Sequence, residues 1–111
     1  MPAIPTSFKM IQDTWFELRR RIDDANQRLT TKAERDRLLA DRDGARDAYY
    51  AALGKTFDEQ DAFVKKTKKE LADVSAEMKR ELQSLKTMAD VLKAVSAAVK
   101  LAAALAGMAV A

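Results

Sequence analysis

The sequence predicts an all-α protein, a long antiparallel two-helix hairpin that forms a single domain over residues 1–111. Three observations predict this fold class. Proline occurs only at Pro2 and Pro5, so none interrupts the rest of the chain. Apolar residues recur at alternating intervals of three and four in two long segments, as they do in helices that pack along one another. Gly54 separates the segments, and equal arms about one glycine turn are typical of an αα-hairpin.

The first arm covers residues 7–53 and begins with a regular heptad seam. Thr6 or Ser7 can cap its N-terminus by accepting hydrogen bonds from the first free amides. The seam holds its spacing for three heptads, through Phe8, Ile11, Trp15, Leu18, Ile22, Ala25 and Leu29.

The seam slips at Thr30–Thr31, where continuing the same register would bury Lys32 and Asp36. Thr31 and Glu34 have the spacing of a capping box, which would start a new helix. The sequence therefore leaves two alternatives, a kink inside one helix or a full break between two helices. We favour the kink, because neither glycine nor proline marks a loop here.

The turn covers residues 54–56, and the second arm covers 57–106, with Thr56 and Glu59 as another capping-box pair. Each arm would be roughly 70–75 Å long at about 1.5 Å per residue. Pairing the arms about the turn places Trp15 opposite Val95. The predicted hairpin seam consists of Phe8, Ile11, Trp15, Leu18, Ile22, Leu71, Met78, Leu85, Met88, Leu92, Val95 and Val99.

A hairpin of this kind is not expected to be stable alone. Burying a large apolar side chain contributes about 1.5–3 kcal/mol, whereas ordering the backbone costs about 1–2 kcal/mol per residue. One seam would not offset that cost, so we expect a homo-oligomer that forms a four-helix or larger coiled-coil-like bundle. In size and predicted shape the chain resembles the small helical hairpins of the WXG100 type, which pair into four-helix bundles, although its turn reads Leu53-Gly54-Lys55 in place of Trp-x-Gly.

The apolar C-terminal segment, residues 88–111, carries no charge after Lys100. It can be an Ala-rich helix packed in a bundle, or a helix that inserts into or lies on a bilayer. Its Leu and Val residues favour insertion by about 0.3–0.6 kcal/mol each, and Lys100 opposes it by about 2.5–3.5 kcal/mol, so a stand-alone anchor is not expected. The residues expected to contact a partner or a membrane are Phe16, Leu101, Leu105, Lys93 and Lys100.

Two other clusters favour structural roles. The lysine run of Lys65, Lys66, Lys68 and Lys69 is predicted to form a solvated helix face, with acidic partners one helical turn away. The alternative is that these lysines contact phosphates or anionic lipid. A hydrophobic cluster about the turn is predicted to plug the tip of the hairpin, and the alternative is a docking tip for a partner. Its residues are Tyr49, Tyr50, Leu53, Phe57 and Phe63.

The composition argues against catalysis. The chain has no cysteine and no histidine, which removes thiol chemistry, the commonest general base and the commonest metal ligand. No catalytic motif is present, and we expect no enzymatic activity, cofactor or metal. The net charge of +3 is too mild to predict nucleic-acid binding.

The predicted function is therefore a non-catalytic helical interaction or assembly protein that self-associates and docks an unidentified protein partner through its C-terminal half. The alternative is a membrane-active helical protein, such as a pore-forming component or a lysis factor, that uses residues 88–111. The N-terminus lacks the pattern of a secretory signal peptide. A cytoplasmic location is therefore expected by default, while export by a signal-independent route and membrane association stay open.

Overall fold

The computed structural model describes residues 5–110, which form four α-helices and no strand. The helices are α1 (Ser7–Arg28), α2 (Lys32–Ala52), α3 (Ala62–Ser84) and α4 (Met88–Ala106). They pack against each other, so the all-α prediction is confirmed.

Side-chain caps define where three of the helices begin. Thr6 accepts a hydrogen bond from the Lys9 amide at 3.2 Å, and Thr31 accepts one from the Glu34 amide at 3.1 Å. Asp61 caps α3 by accepting from the amides of Phe63 and Val64. The capping box expected at Thr56 and Glu59 is therefore not used, since the helix that follows the turn starts after Asp61 instead.

Each predicted arm is divided into two helices, so the long two-helix hairpin is not found. The first arm breaks at Leu29, whose extended backbone (φ −82°, ψ 137°) ends α1 before Thr31 caps α2. The favoured kink at Thr30–Thr31 is thus wrong, and the alternative of a full break is what the structure has. The second arm breaks at Leu85, which adopts left-handed backbone angles (φ 50°) after α3. The described residues measure 43 × 28 × 19 Å, too short for arms of roughly 70 Å.

The four helices form two antiparallel hairpins, α1–α2 and α3–α4, that lie side by side. Contacts of Tyr49 with both Phe8 and Phe16 show that α1 and α2 are antiparallel neighbours. Helices α2 and α4 run parallel, since Asp41 contacts Ser96 and Gly44 lies against Val99. Helices α1 and α4 both contact all three other helices, whereas α2 and α3 do not contact each other.

The core consists of two adjoining clusters, one toward each end of the bundle. The larger one lies toward the two short connections and includes Trp15, Leu18, Met78 and Val95. The smaller one lies toward the loop between α2 and α3. Its buried residues are Ile11, Ala48, Ala52, Val64, Leu71, Ala102, Leu105 and Ala106.

Helix α4 approaches its neighbours closely because alanines occupy much of its buried surface. Ala94, Ala98 and Ala102 recur every four residues and are all buried. On α2, a Cβ atom added at Gly44 would lie only 3.0 Å from Cγ1 of Val99. Small residues on both helices therefore set the short distance between α2 and α4.

This architecture removes the argument from which oligomerisation was predicted. That argument assumed that each helix buries one apolar stripe against one neighbour. Since α1 and α4 each pack against three helices, a single chain supplies the four helices of a bundle core. Association with a second chain therefore needs a reason other than an incomplete core.

Candidate functional site

The residues of the predicted hairpin seam all lie within or beside the core. Phe8, Leu85 and Met88 are half-buried and pack against the two clusters. The others are buried, namely Ile11, Trp15, Leu18, Ile22, Leu71, Met78, Leu92, Val95 and Val99. Trp15 and Val95 belong to the same cluster, and α1 contacts α4. The seam residues therefore serve the core of a four-helix bundle instead of a two-helix interface.

The residues predicted to contact a partner or a membrane are scattered. Leu105 is fully buried and Leu101 is half-buried, so the C-terminal helix does not present them together on the surface. Lys93 and Lys100 are exposed on α4. Phe16 lies on a different face, on α1, with 38% of its surface exposed. Only Phe16 of this group belongs to an exposed apolar surface.

Three exposed apolar side chains of the α1–α2 hairpin, Phe16, Tyr50 and Leu53, lie around the half-buried Tyr49 ring, with Leu53 one helical turn after Tyr50. We call Phe16, Tyr49, Tyr50 and Leu53 the aromatic surface. The ring centroids of Phe16 and Tyr49 are 5.7 Å apart, and those of Tyr49 and Tyr50 are 5.4 Å apart. Tyr50 is 62% exposed and Leu53 is 49% exposed. Aromatic rings at these separations pack favourably, and here the outer rings still face solvent.

Charged side chains of both signs flank the aromatic surface. On α1, the Arg19 guanidinium lies 4.8 Å from the centroid of the Phe16 ring, a cation–π contact, and Arg20 follows it. On α2, Asp47 lies about one helical turn before Tyr50 and Asp43 about two turns before it, and their ion pairs are with Arg42 and Arg46 of the same helix. The aromatic surface thus has Arg19 and Arg20 on its α1 side, with Arg20 paired to Glu17, and Asp–Arg ion pairs on α2.

A polar network ties the start of α1 to the loop before α3. The Ser7 amide donates to Glu59 Oε2 at 2.9 Å, and Ser7 Oγ donates to Glu59 Oε1 at 2.6 Å. Lys68 Nζ donates to the same Oε1 at 3.0 Å, although Lys68 is only 8% exposed. Burial alone would raise the pKa of the Glu59 carboxyl, but the hydrogen bonds from Ser7 and the Lys68 ammonium together hold this pKa below its ordinary value.

A second network joins α2 to α4 through Ser96. The Ser96 hydroxyl donates to Asp41 Oδ2 at 2.6 Å and accepts from Arg37, whose Nη2 lies 3.1 Å away. Arg37 also donates to the Leu92 carbonyl at 3.4 Å. Both networks connect one hairpin to the other, so they fix how the two hairpins are arranged.

The described residues contain neither a metal-binding cluster nor a membrane-spanning helix. Residues 5–110 contain no group of three acidic side chains close enough to hold a metal ion. None of the four helices combines the length and the apolar character needed to cross a bilayer. Most apolar residues of α4, including Leu92, Val95 and Leu105, lie in the chain's own core.

Comparison of this chain with models of protein families, with curated proteins and with solved structures found no match. The functional interpretation therefore depends on the surfaces and networks described above.

Sequence reasoning missed two of these features. Lys68 belongs to a lysine run predicted to be solvated, yet it is buried and bound to Glu59. Its position one turn after Val64, beside the seam, was a signal that it could turn inward. Tyr49 and Tyr50 were expected at the tip of a hairpin. Tyr49 instead contacts Phe16 on α1, and Tyr50 packs against Tyr49, because α2 is a separate antiparallel helix.

Proposed function

We propose that this protein is a non-catalytic helical interaction protein that self-associates through its aromatic surface. The observation that supports this proposal is the exposure of Tyr50, Leu53 and Phe16 on one face of the α1–α2 hairpin. Aromatic residues and arginine are enriched in the centres of protein interfaces and contribute most of the binding energy there. Arg19 above the Phe16 ring adds the residue type that commonly accompanies aromatic anchors.

The partner that fits this surface best is a second copy of the chain. In a two-fold dimer the same surface faces itself, so every group must meet its counterpart or a neighbour of opposite charge. Within one chain, Arg20 is paired with Glu17 and the aspartates of α2 with Arg42 and Arg46, so these groups would share their ion pairs across the interface. Arg19 and Arg20 of α1 would then face Asp43 and Asp47 of the other copy. Their side chains are half-buried or exposed and therefore accessible. The stacked helices of two copies would form the larger coiled-coil-like bundle that the heptad pattern predicts.

This proposal moves the docking surface away from the C-terminal half. Docking through residues 88–111 would use Leu105 and Val95, which are buried between the other helices. Membrane insertion of α4 would likewise require it to leave the bundle, and its removal would open the core of both hairpins. No feature of the described surface favours that alternative over self-association.

Sedimentation velocity over a micromolar to millimolar range tests the proposal. We expect the intact chain to form dimers at the upper concentrations, and the double variant Tyr50→Ser and Leu53→Ser to stay monomeric. Both positions are exposed, so these substitutions should leave the fold intact, as circular dichroism can verify.

Phe63→Ser is the matched control, because Phe63 is 73% exposed but lies on α3. This variant should dimerise like the intact chain. An intact chain that stays monomeric up to millimolar concentration contradicts the proposal, and so does a dimer that survives the double substitution.

A further inference from the structure

A groove runs along the surface between the parallel helices α1 and α3, on a different face from the aromatic surface. Its larger part has a volume of about 730 Å³ and lies near the start of both helices. A smaller part of about 220 Å³ continues toward the middle of α3. The two parts share Pro5, Met10 and Ala72, so they form one continuous depression.

The groove exists because small side chains line α3 where it faces α1. Ala72, Ser75 and Ala76 leave space that larger residues would fill. Thr14 on the opposite wall donates its hydroxyl to the Met10 carbonyl at 2.9 Å, and the same oxygen lies 3.4 Å from Ser75 Oγ on α3. Met10 and the fully buried Met78 line the smaller part, and methionine adapts its shape to a bound apolar group.

Three lysines lie at one end of this groove, whereas the smaller part is lined by one lysine, Lys79, and one acid, Asp13. Lys65, Lys68 and Lys69 line its larger part, and Lys68 is neutralised by Glu59. Lys65 and Lys69 are exposed, and neither forms an ion pair within the described part of the chain. Their ammonium groups are therefore available to an anion at this end of the groove.

We propose that this groove binds a single-chain anionic amphiphile, a molecule with one acyl chain and a carboxylate or phosphate head. The head contacts Lys65 and Lys69, and the acyl chain lies along Met10 and Ala72 toward Met78. Both parts of the groove together have the size of ordinary ligand sites, which span about 300–1,000 Å³. No aromatic side chain lines either part, which favours an aliphatic ligand over a nucleobase or another flat ring.

Methyl NMR of the intact chain with ¹³C-labelled methionine methyl groups locates the binding. Myristate is titrated below its micelle concentration, and lysophosphatidic acid and myristyl alcohol are titrated in parallel. We expect the Met10 and Met78 signals to shift with either anion, while Met88 and Met108, which do not line the groove, stay unchanged. Comparing the two anions distinguishes a carboxylate from a phosphate head, and the alcohol should bind about tenfold or more weakly because it lacks the charge.

Two pairs of variants test the geometry. Ala72→Leu should fill the groove and weaken binding by about tenfold or more, whereas Ala40→Leu, at an exposed alanine of α2, should have no effect. Lys65→Gln with Lys69→Gln should weaken binding of the anions to the level of the alcohol. The control is the double variant Lys93→Gln and Lys100→Gln, which removes the same amount of positive charge from the exposed face of α4.

Several results would overturn the proposal. One is equal affinity for the alcohol and the anions. Another is a shift of the Met88 and Met108 signals as large as that of Met10 and Met78. A third is an unchanged affinity of the Ala72→Leu variant for the anions. Shifts of Met10 and Met78 that follow protein concentration without any ligand would show instead that the groove is an interface between copies. The Tyr50→Ser and Leu53→Ser variant should bind the amphiphile normally, so failure of self-association and failure of this site are distinguishable.

Discussion

Gly44→Ala is the substitution that best tests the close packing of α2 against α4. The added Cβ would lie 3.0 Å from Cγ1 of Val99, whereas carbon atoms in good contact are about 3.5–4.0 Å apart. Val99 is buried in the larger cluster, so it cannot turn toward solvent to make room. The clash should cost about 1–3 kcal/mol, as overpacking of cores does.

A favourable effect opposes this cost. Replacing glycine by alanine inside a helix stabilises it by about 0.8–1.0 kcal/mol when nothing else changes. We therefore expect Gly44→Ala to lower the free energy of unfolding by about 1 kcal/mol in total. In a Val99→Ala background the clash is removed, and the same substitution should raise the free energy of unfolding by about 1 kcal/mol.

Urea denaturation of the four proteins in this double-mutant cycle measures both effects, with tryptophan fluorescence and circular dichroism as independent probes of two-state unfolding. The decisive quantity is the sign change between the two backgrounds. If Gly44→Ala stabilises the protein by the same amount with Val99 and with Ala at position 99, the helices are not held together as closely as described. The inference that small residues set their spacing would then be wrong.

Two further predictions concern the caps and the polar network. Glu59→Gln should lower the free energy of unfolding by about 1 kcal/mol at neutral pH, allowing for solvent screening of a partly exposed carboxylate. Because the folded pKa of Glu59 is lowered, its contribution is present above the ordinary carboxyl pKa and is lost as pH falls through the folded value, so variant and parent should converge in acid denaturation profiles. A pH-independent difference would contradict this role. Thr31→Ala should lower the free energy of unfolding by about 1 kcal/mol in chemical denaturation, because it removes the side chain that caps α2. Thr30→Ala, at the neighbouring residue that caps no helix, should be nearly neutral.

The helical periodicity predicted much of the core but not its connectivity. Trp15, Leu18 and Val95 were predicted to be buried from their spacing alone, and they are. The same spacing could not reveal the break at Leu85, because the chain turns there without glycine or proline and a leucine takes left-handed angles. At Thr31 the cap was visible in the sequence, but a capping box is also compatible with a kinked helix. The choice between kink and break depends on tertiary packing that a single sequence does not display.

Which side chains form the aromatic surface and the groove could be predicted from the sequence even less than the helix connectivity. The exposure of Tyr50 depends on which helices pack against α2. The predicted two-helix hairpin placed different helices beside this residue. The groove between α1 and α3 depends on these helices being parallel neighbours, an arrangement that exists only because both predicted arms are divided. Local residue patterns therefore predicted which side chains are apolar enough to be buried, while the side-by-side packing of two hairpins determined which remain accessible.

The division into two hairpins has a consequence for how the molecule could be taken apart. Only the largely exposed stretch between Leu53 and Asp61 connects them covalently, while both core clusters are built from residues of the two hairpins together. Cleavage of this stretch would leave two complementary fragments, each unable to shield its own apolar side. Their reunion would become a bimolecular reaction, so the stability of the nicked protein would depend on its concentration, as it does for an obligate heterodimer.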